Sequence, residues 1–357
     1  MTARATGSLS ELAATGTYFP ALDGLRAVSI LLVVSWHVHG AYTFDRLGGE
    51  AGVFVFFVLS GFLITLLLLR ESAARGHLAL RAFYVRRAFR ILPLYVLMLG
   101  VYASLVLGLH LGEREAQFRA ALPYYVTLTQ EVLRYSGDPF APFQFTWSLG
   151  VEEKFYLLWP AIAFVLVRAR GARYAATTAG IAIGAVLAAR GVQPTAGVAA
   201  AYAFVLVGCL LAQLLDDPRT AGRCEWLASP WTGAVAVALF CISPRGLSGF
   251  VAATAAFLAI PSLVARRGAL GAALATPVLV WIGRISYSIY FVNQLSLHAA
   301  RRVLAPPASV IGDVELLAAG LVLAIPAAAL LHALVERPLQ RAGRRLAMRS
   351  APPIAQG

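Results

Sequence analysis

The sequence has 357 residues, of which 59% are hydrophobic and only 13% are charged, and its formal net charge at pH 7 is +13. Because a soluble domain has about 25% charged residues, this composition excludes an ordinary soluble protein and is typical of one that lies largely in a lipid bilayer. The positive charge does not indicate nucleic-acid binding, since the basic residues are dispersed between apolar runs and form no basic arm.

Ten segments are apolar and long enough to predict membrane-spanning helices, because a span needs about 20 apolar residues. In chain order they lie near residues 22–40, 51–69, 91–109, 149–167, 174–190, 195–215, 231–244, 248–265, 278–298 and 313–335. We therefore expect an all-α fold, a polytopic transmembrane helical bundle of about ten spans. The first twenty residues predict no cleaved signal peptide.

The distribution of basic residues predicts an orientation for this bundle. Arginine is more frequent in the segments that face the cytoplasm when both termini are inside. We expect one membrane-embedded domain, residues 18–342, between cytoplasmic tails at residues 1–17 and 343–357. The predicted location is a cell membrane crossed many times, the bacterial cytoplasmic membrane.

The first predicted span has an ionisable residue near each end, Arg26 and His37. Eleven helical steps bring these two residues to within about 20° of one face and roughly 16 Å apart along the axis. Ile30 and Val33 lie between them, and we expect an apolar wall that admits a long ligand with an anionic end and a reactive end, such as acyl-coenzyme A. The imidazole of His37 is suited to act as a general base. The geometry alone leaves a second interpretation open, in which Arg26 lies at the interface and His37 is a buried, hydrogen-bonded residue.

Six segments occur in an order that resembles the integral-membrane acyltransferase-3 family over about residues 18–342. They are LDGLRAVSILLVVSWH (22–37), GVFVFFVLSGFLIT (52–65), FYVRRAFRILPLY (83–95), FTWSLGVEEKFYLLWP (145–160), RISYSIYFVNQLSL (284–297) and VERPL (335–339). The resemblance implies an O-acyltransferase that modifies cell-surface carbohydrates or, as an alternative, a macrolide or other secondary metabolite. It also implies that acyl-coenzyme A, with acetyl as the first choice, is the donor.

The same resemblance implies roles for individual residues. Arg26 and His37 occupy the family's Arg-x10-His motif, in which the histidine is catalytic. Asn293 stands where the family often has a histidine, so that a second proton carrier is not expected there. The remaining matches are Arg87 and Arg90 in an Arg-x-x-Arg motif, and Trp147, Ser148 and Glu152 in a Trp-Ser-Leu-x-x-Glu signature.

Arg87 and Arg90 are three residues apart, share a helical face, and precede Pro93, which we place in the first turn of the third span. Guanidinium groups donate paired hydrogen bonds to phosphate oxygens. We therefore expect this pair, with Arg26, to bind coenzyme A phosphates. The alternative is that the pair binds anionic lipid.

Glu152 is expected to orient His37 or the acceptor hydroxyl, and Glu153 to pair with Lys154 or to face water. Trp147, Ser148, Tyr287 and Asn293 are assigned to the acceptor side, with Ser148 also able to stabilise an oxyanion.

No metal site is expected, because neither the histidines nor Cys209, Cys224 and Cys241 have metal-ligand spacing. The expected partners are the bilayer, acyl-coenzyme A and a hydroxyl-bearing acceptor, with no nucleic acid and no prediction of oligomeric state. A transporter of sugars, lipids or drugs is the alternative of another class, although the two halves of the chain show no repeat.

Overall fold

The computed structural model describes residues 8–16, 18–38, 49–110, 114–136, 141–191, 195–242 and 248–350. Within these ranges every regular element is helical and no strand is present. The chain divides into two compact units. The first unit contains the residues up to Leu66 together with Val207–His332, and the second contains Leu67–Leu206 together with the residues from Ala333 onward.

The helices follow one another with short connections. In chain order they are α1 (Leu9–Thr15), α2 (Pro20–Trp36), α3 (Ala51–Arg75), α4 (Leu80–Ala103), α5 (Glu115–Val126), α6 (Glu131–Ser136), α7 (Trp147–Ala161), α8 (Arg170–Ala189), α9 (Thr195–Asp216), α10 (Pro218–Arg223), α11 (Pro230–Ile242), α12 (Ser248–Val264), α13 (Gly268–Leu274), α14 (Pro277–Arg284), α15 (Ser286–Leu304), α16 (Val310–Leu331) and α17 (Arg337–Ser350). Short π-helical segments at Ser104–Gly108, Ile162–Leu166 and His332–Glu336 extend α4, α7 and α16.

The described residues contain 5 helices long and apolar enough to cross a membrane, or up to 7 if each of two bent helix pairs counts as one span. An all-helical fold with several helices long and apolar enough to cross a membrane is thus confirmed for the described residues. The number of ten spans and the cytoplasmic position of the termini stay predictions. Residues 39 and 40 of the predicted first span, residues 243 and 244 of the seventh, and the outermost residues of both predicted tails lie outside the described residues.

Three predicted spans were wrong in their boundaries. The first was expected to be helical over 22–40, but α2 ends at Trp36 and the next two residues form a turn. The third was expected to begin at residue 91, with Pro93 in its first turn, but α4 begins at Leu80 and Pro93 lies in its interior. Arg87 and Arg90 are therefore inside the helix, and a proline at this depth is tolerated because neighbouring groups in a membrane helix can satisfy the freed backbone carbonyl.

The ninth span was expected to be continuous over 278–298, but α14 and α15 are separated at Ile285, whose φ of −93° and ψ of 5° lie outside helical values.

In the first unit, α2 packs against α12, α13, α14 and α15. Pro20 in the first helical turn and Asp23 nearby suit a helix N-terminus. Glycine permits close approach at two points, since a Cβ at Gly24 would overlap the backbone of Leu274 and one at Gly283 would overlap the carbonyl of Asp23. This packing fixes α2, which contains Arg26, against α14.

In the second unit, α17 packs along α4, and Gly343 lies against the Phe89 ring. The segment before α7 is held by an aromatic cluster around Phe143, whose φ of 72° is left-handed. The rings of Tyr95, Tyr102 and Tyr125 have centroids 5.5, 5.0 and 5.5 Å from that of Phe143. This cluster sets the position at which α7 begins.

Candidate active site

Arg26 and His37 both lie on α2 in the first unit. The helix is continuous from Pro20 to Trp36, and His37 is its C-cap, with its backbone N–H directed to the carbonyl groups of Val33 and Val34. The Nε of Arg26 and the Nδ1 of His37 are buried, whereas each residue as a whole is half-buried. The helix thus connects Arg26 to Trp36, but it does not continue through His37 as the predicted span 22–40 required, because the backbone leaves helical values at that residue (ψ −1°). The catalytic and anchoring roles of the two residues stay predictions.

The open apolar wall expected between these residues is not present. Ile30 is 0% exposed and Val33 is 2% exposed. A Cβ added at Gly52 of α3 would overlap the carbonyl oxygen of Ser29 and lie 3.2 Å from a methyl group of Val33. The start of α3 thus covers this face of α2, because an apolar helix face buries against a neighbour whenever one can approach closely.

Asn293 lies on α15, which packs against α2 within the same unit. Its side chain is fully buried, and its Nδ2 donates to the carbonyl oxygens of Ile289, at 3.3 Å, and of Tyr290, at 2.5 Å. Its Oδ1 is buried and has no hydrogen-bond partner in the described part of the chain. Asn293 thus has a buried amide oxygen that no donor of the described residues satisfies.

Ser286 adds a second polar group to this face of α15. It lies seven positions before Asn293, and seven helical steps return to within about 20° of the same face. Among the residues described, its buried Oγ likewise has no hydrogen-bond partner. Ser286 was not predicted from the sequence, although its spacing from Asn293 is a signal that could have found it. Tyr287, half-buried, meets the Phe291 ring edge-on at 5.1 Å.

Arg87 lies in the second unit among aromatic rings. Its guanidinium carbon is 5.6 Å from the centroid of the Phe83 ring and 5.4 Å from that of Tyr156. Glu153 and Arg90 are close enough to act on it electrostatically. Stacking on aromatic faces is worth about 0.5–2 kcal/mol, so a phosphate group at Arg87 would compete with interactions that already hold the side chain.

The Trp147 signature lies at the start of α7, where the sequence placed the helix. Trp147 and Ser148 are 6% and 8% exposed, and the guanidinium of Arg134 lies 5.8 Å from the centroid of the Trp147 ring. Glu152 accepts a hydrogen bond from the Tyr156 hydroxyl at 3.2 Å. The proposed pairing of Glu152 with His37 stays a prediction, because the two residues belong to different units.

Lys154 does not pair with Glu153, contrary to one of the two alternatives expected for Glu153. Its Nζ lies 2.6 Å from Oε1 of Glu131 and donates to the Leu128 carbonyl. Glu153 has one buried carboxylate oxygen, Oε1, without a hydrogen-bond partner among the described residues, and Arg87 is its nearby cation. No sequence pattern links Lys154 to Glu131, since the pair is long-range and not one helical repeat apart.

The predicted site residues thus fall into two groups. The first unit contains Arg26, His37, Tyr287 and Asn293, and the second contains Arg87, Arg90, Trp147, Ser148 and Glu152. Among the residues that the structure describes, no three His, Cys, Asp or Glu side chains gather in a way that could hold a metal ion.

Residues 19–333 match a family model described as an acyltransferase domain. A Staphylococcus aureus protein named as a candidate O-acetyltransferase is 35% identical over 163 residues, which are 44% of this chain and 26% of that protein. Peptidoglycan O-acetyltransferase OatA of Listeria monocytogenes is 32% identical over 158 residues, 42% of this chain and 25% of that protein. YrhL of Bacillus subtilis, named as a candidate peptidoglycan O-acetyltransferase, is 30% identical over 332 residues, 83% of this chain and 50% of that protein. The match therefore spans half or less of the length of each of these relatives. No solved structure matches the chain.

Proposed function

We propose, from the premise that this chain belongs to the acyltransferase-3 family, that it is an integral-membrane O-acyltransferase. It transfers an acyl group, acetyl as the first choice, from acyl-coenzyme A to a hydroxyl group of a carbohydrate-type acceptor. The observation that supports this proposal most directly is the family match over 19–333, which includes Arg26 in α2 and His37 at the C-cap of that helix.

In the proposed reaction His37 is the general base. Its imidazole removes the proton of the acceptor hydroxyl while the hydroxyl oxygen attacks the thioester carbonyl carbon. The carbon–sulfur bond then breaks, and the coenzyme A thiolate leaves and takes a proton. Ser148 stabilises the negative charge on the carbonyl oxygen, and Glu152 orients His37 or the acceptor.

The remaining residues bind the two substrates. Arg26, Arg87 and Arg90 bind the anionic end of the donor. Trp147, Ser148, Tyr287 and Asn293 contact the acceptor, and the buried Oδ1 of Asn293 supports this assignment because it is a hydrogen-bond acceptor without a protein donor among the residues described.

The names of the relatives favour acetyl as the acyl group and peptidoglycan as one acceptor to test. A macrolide or another secondary metabolite is the alternative acceptor. A transporter is the alternative of another class, and family membership favours acyl transfer over it. The proposed location is the bacterial cytoplasmic membrane, with both termini inside.

The test uses the full chain in liposomes, with radiolabelled acetyl-coenzyme A inside and candidate acceptors on either side. We expect His37→Ala to lower turnover about 10²-fold or more, the usual contribution of a general base. His298→Ala is the matched control, because His298 is an exposed histidine of the same unit. Turnover that survives in His37→Ala would remove His37 from the mechanism, and acceptor flux without thioester consumption would favour the transporter.

A further inference from the structure

A basic cavity lies in the second unit, away from Arg87. It has a volume of about 410 Å³ and is formed by the end of α3, the start of α4 and the last turns of α17. Its lining residues are Arg75, Arg86, Arg341, Arg344, Arg345, Ala347 and Met348. From the sequence, these arginines were expected only to contribute to the orientation of the bundle in the membrane.

The cavity has a strong excess of positive charge. Glu71 is the carboxylate beside it, at 3.0 Å from Arg86 and 3.8 Å from Arg75, and it also accepts the backbone N–H of Ala79. Arg341, Arg344 and Arg345 have no hydrogen bond or ion pair within the described ranges. Five guanidinium groups and one carboxylate leave an excess of four positive charges at this cavity.

The fold holds three of these arginines on one side of a single helix. Arg344 and Arg345 are three and four residues after Arg341, a spacing at which like charges destabilise a helix. Packing of α17 on α4 opposes that repulsion, because Gly343 fits against Phe89 and Ala347 is 2% exposed. A bound anion would neutralise the repulsion between these guanidinium groups.

We propose that this cavity binds a ligand with at least two closely spaced phosphate groups. Guanidinium groups bind phosphate oxygens in pairs of parallel hydrogen bonds, and the volume is within the range of about 300–1,000 Å³ typical of small-molecule sites. The phosphates belong either to coenzyme A or to a lipid whose headgroup contains two phosphate groups, such as cardiolipin. The coenzyme A source rests on the proposed acyltransferase function, whereas the lipid source does not.

The proposed phosphate site uses arginines whose surroundings differ from those of Arg87 in the same unit. Arg87 is enclosed by the Phe83 and Tyr156 rings and lies near the Glu153 carboxylate. Arg344 and Arg345 are exposed and face a cavity instead of a ring or a carboxylate. The guanidinium groups of Arg344 and Arg345 are therefore more accessible to a dissolved anion than that of Arg87, which is half-buried and stacked on two rings.

The experiment measures binding of three probes to the full chain in neutral detergent freed of anionic lipid. The probes are inorganic pyrophosphate, coenzyme A and short-chain cardiolipin. The test variant is Arg344→Ala with Arg345→Ala. The control is Arg337→Ala with Arg349→Ala, which makes the same charge change at two exposed positions of α17 that do not line the cavity.

We expect the test variant to weaken pyrophosphate binding about tenfold or more, from the loss of charge-assisted hydrogen bonds, and the control to change it by about twofold or less. If the test variant also binds coenzyme A more weakly, the acyl donor is the source of the bound phosphates. If it instead binds cardiolipin more weakly, the lipid is that source. Equal effects in the test and control variants, or no effect in either, would overturn the proposal.

Two further measurements keep this result independent of folding and of catalysis. Arg341→Ala is a single exposed substitution at the same cavity and should also weaken pyrophosphate binding, with unchanged thermal unfolding. If the unsubstituted chain consumes no acetyl-coenzyme A while pyrophosphate binding still depends on Arg344 and Arg345, the proposed function fails and the phosphate site stands. If pyrophosphate binding is unchanged when Arg344 and Arg345 are replaced while turnover requires His37, the phosphate site fails and the proposed function stands.

Discussion

The Nζ of Lys154 lies 2.6 Å from Oε1 of Glu131, whose side chain is 5% exposed. This ion pair joins α6 to α7 in the second unit and also uses the carbonyl groups of Leu128 and Gly150 as acceptors. The start of α7, which contains the Trp147 signature, is thus held by a charge pair between residues far apart in the sequence.

Removing one member of this pair should destabilise the protein more than removing both. Lys154→Met leaves the buried Glu131 carboxylate without its cation, which should cost roughly 2–4 kcal/mol of unfolding free energy. Lys154→Met combined with Glu131→Gln should recover at least half of that loss. Thermal unfolding in detergent measures both variants, and additive losses would show that the two charges are not coupled.

Gly150 makes room for the Glu131 carboxylate. A Cβ at Gly150 would overlap Oε2 of Glu131 and lie 3.1 Å from the Leu128 carbonyl oxygen. Gly150→Ala should therefore lower stability by about 1–3 kcal/mol through overpacking.

Gly100 provides the matched control for Gly150. It lies inside α4, and a Cβ there would meet no atom within 4 Å. Gly100→Ala should keep stability or raise it by up to about 1 kcal/mol, because alanine favours a helix interior. If Gly150→Ala were as stable as Gly100→Ala in thermal unfolding, the crowding at Gly150 would not matter to the fold.

Arg87 should contribute to stability through Glu153 and the aromatic rings. Arg87→Ala removes the stacking partner of Phe83 and Tyr156 and the cation near a buried carboxylate oxygen. We expect a loss of roughly 2–3 kcal/mol, partly restored when Glu153→Gln is added. Arg90→Ala, measured by the same unfolding assay, should cost less, because Arg90 stacks on no ring and has no ion pair in the described part of this unit. Equal losses for the two arginines would contradict this assignment.

Asn293 should matter more to activity than to folding. Asn293→Leu removes a buried amide oxygen that has no hydrogen-bond partner in the described ranges, so stability should change by less than about 1 kcal/mol. Turnover should fall and KM for the acceptor should rise if Asn293 binds the acceptor hydroxyl. Loss of stability with unchanged kinetics would identify Asn293 as a structural residue only. Ser296→Ala, on the same helix, is the control.

The sequence by itself determined the features that depend on nearby residues. Apolar length predicted an all-helical membrane protein, and the motif order predicted the family. The helix that contains Arg26 and the start of α7 at Trp147 also agreed with expectation, although α2 ends at Trp36 and not at residue 40. These properties follow from local hydropathy and helical period, which are readable in a window of one or two dozen residues.

Only the tertiary structure decided which side chains meet. It extended α4 back to Leu80, separated α14 from α15 at Ile285, and closed the face between Arg26 and His37 with α3. It also paired Lys154 with Glu131 and formed the basic cavity by placing α17 beside α4. Hydropathy specifies that a helix face will be buried but not against which neighbour, because that choice depends on the close approach of helices far apart in the chain.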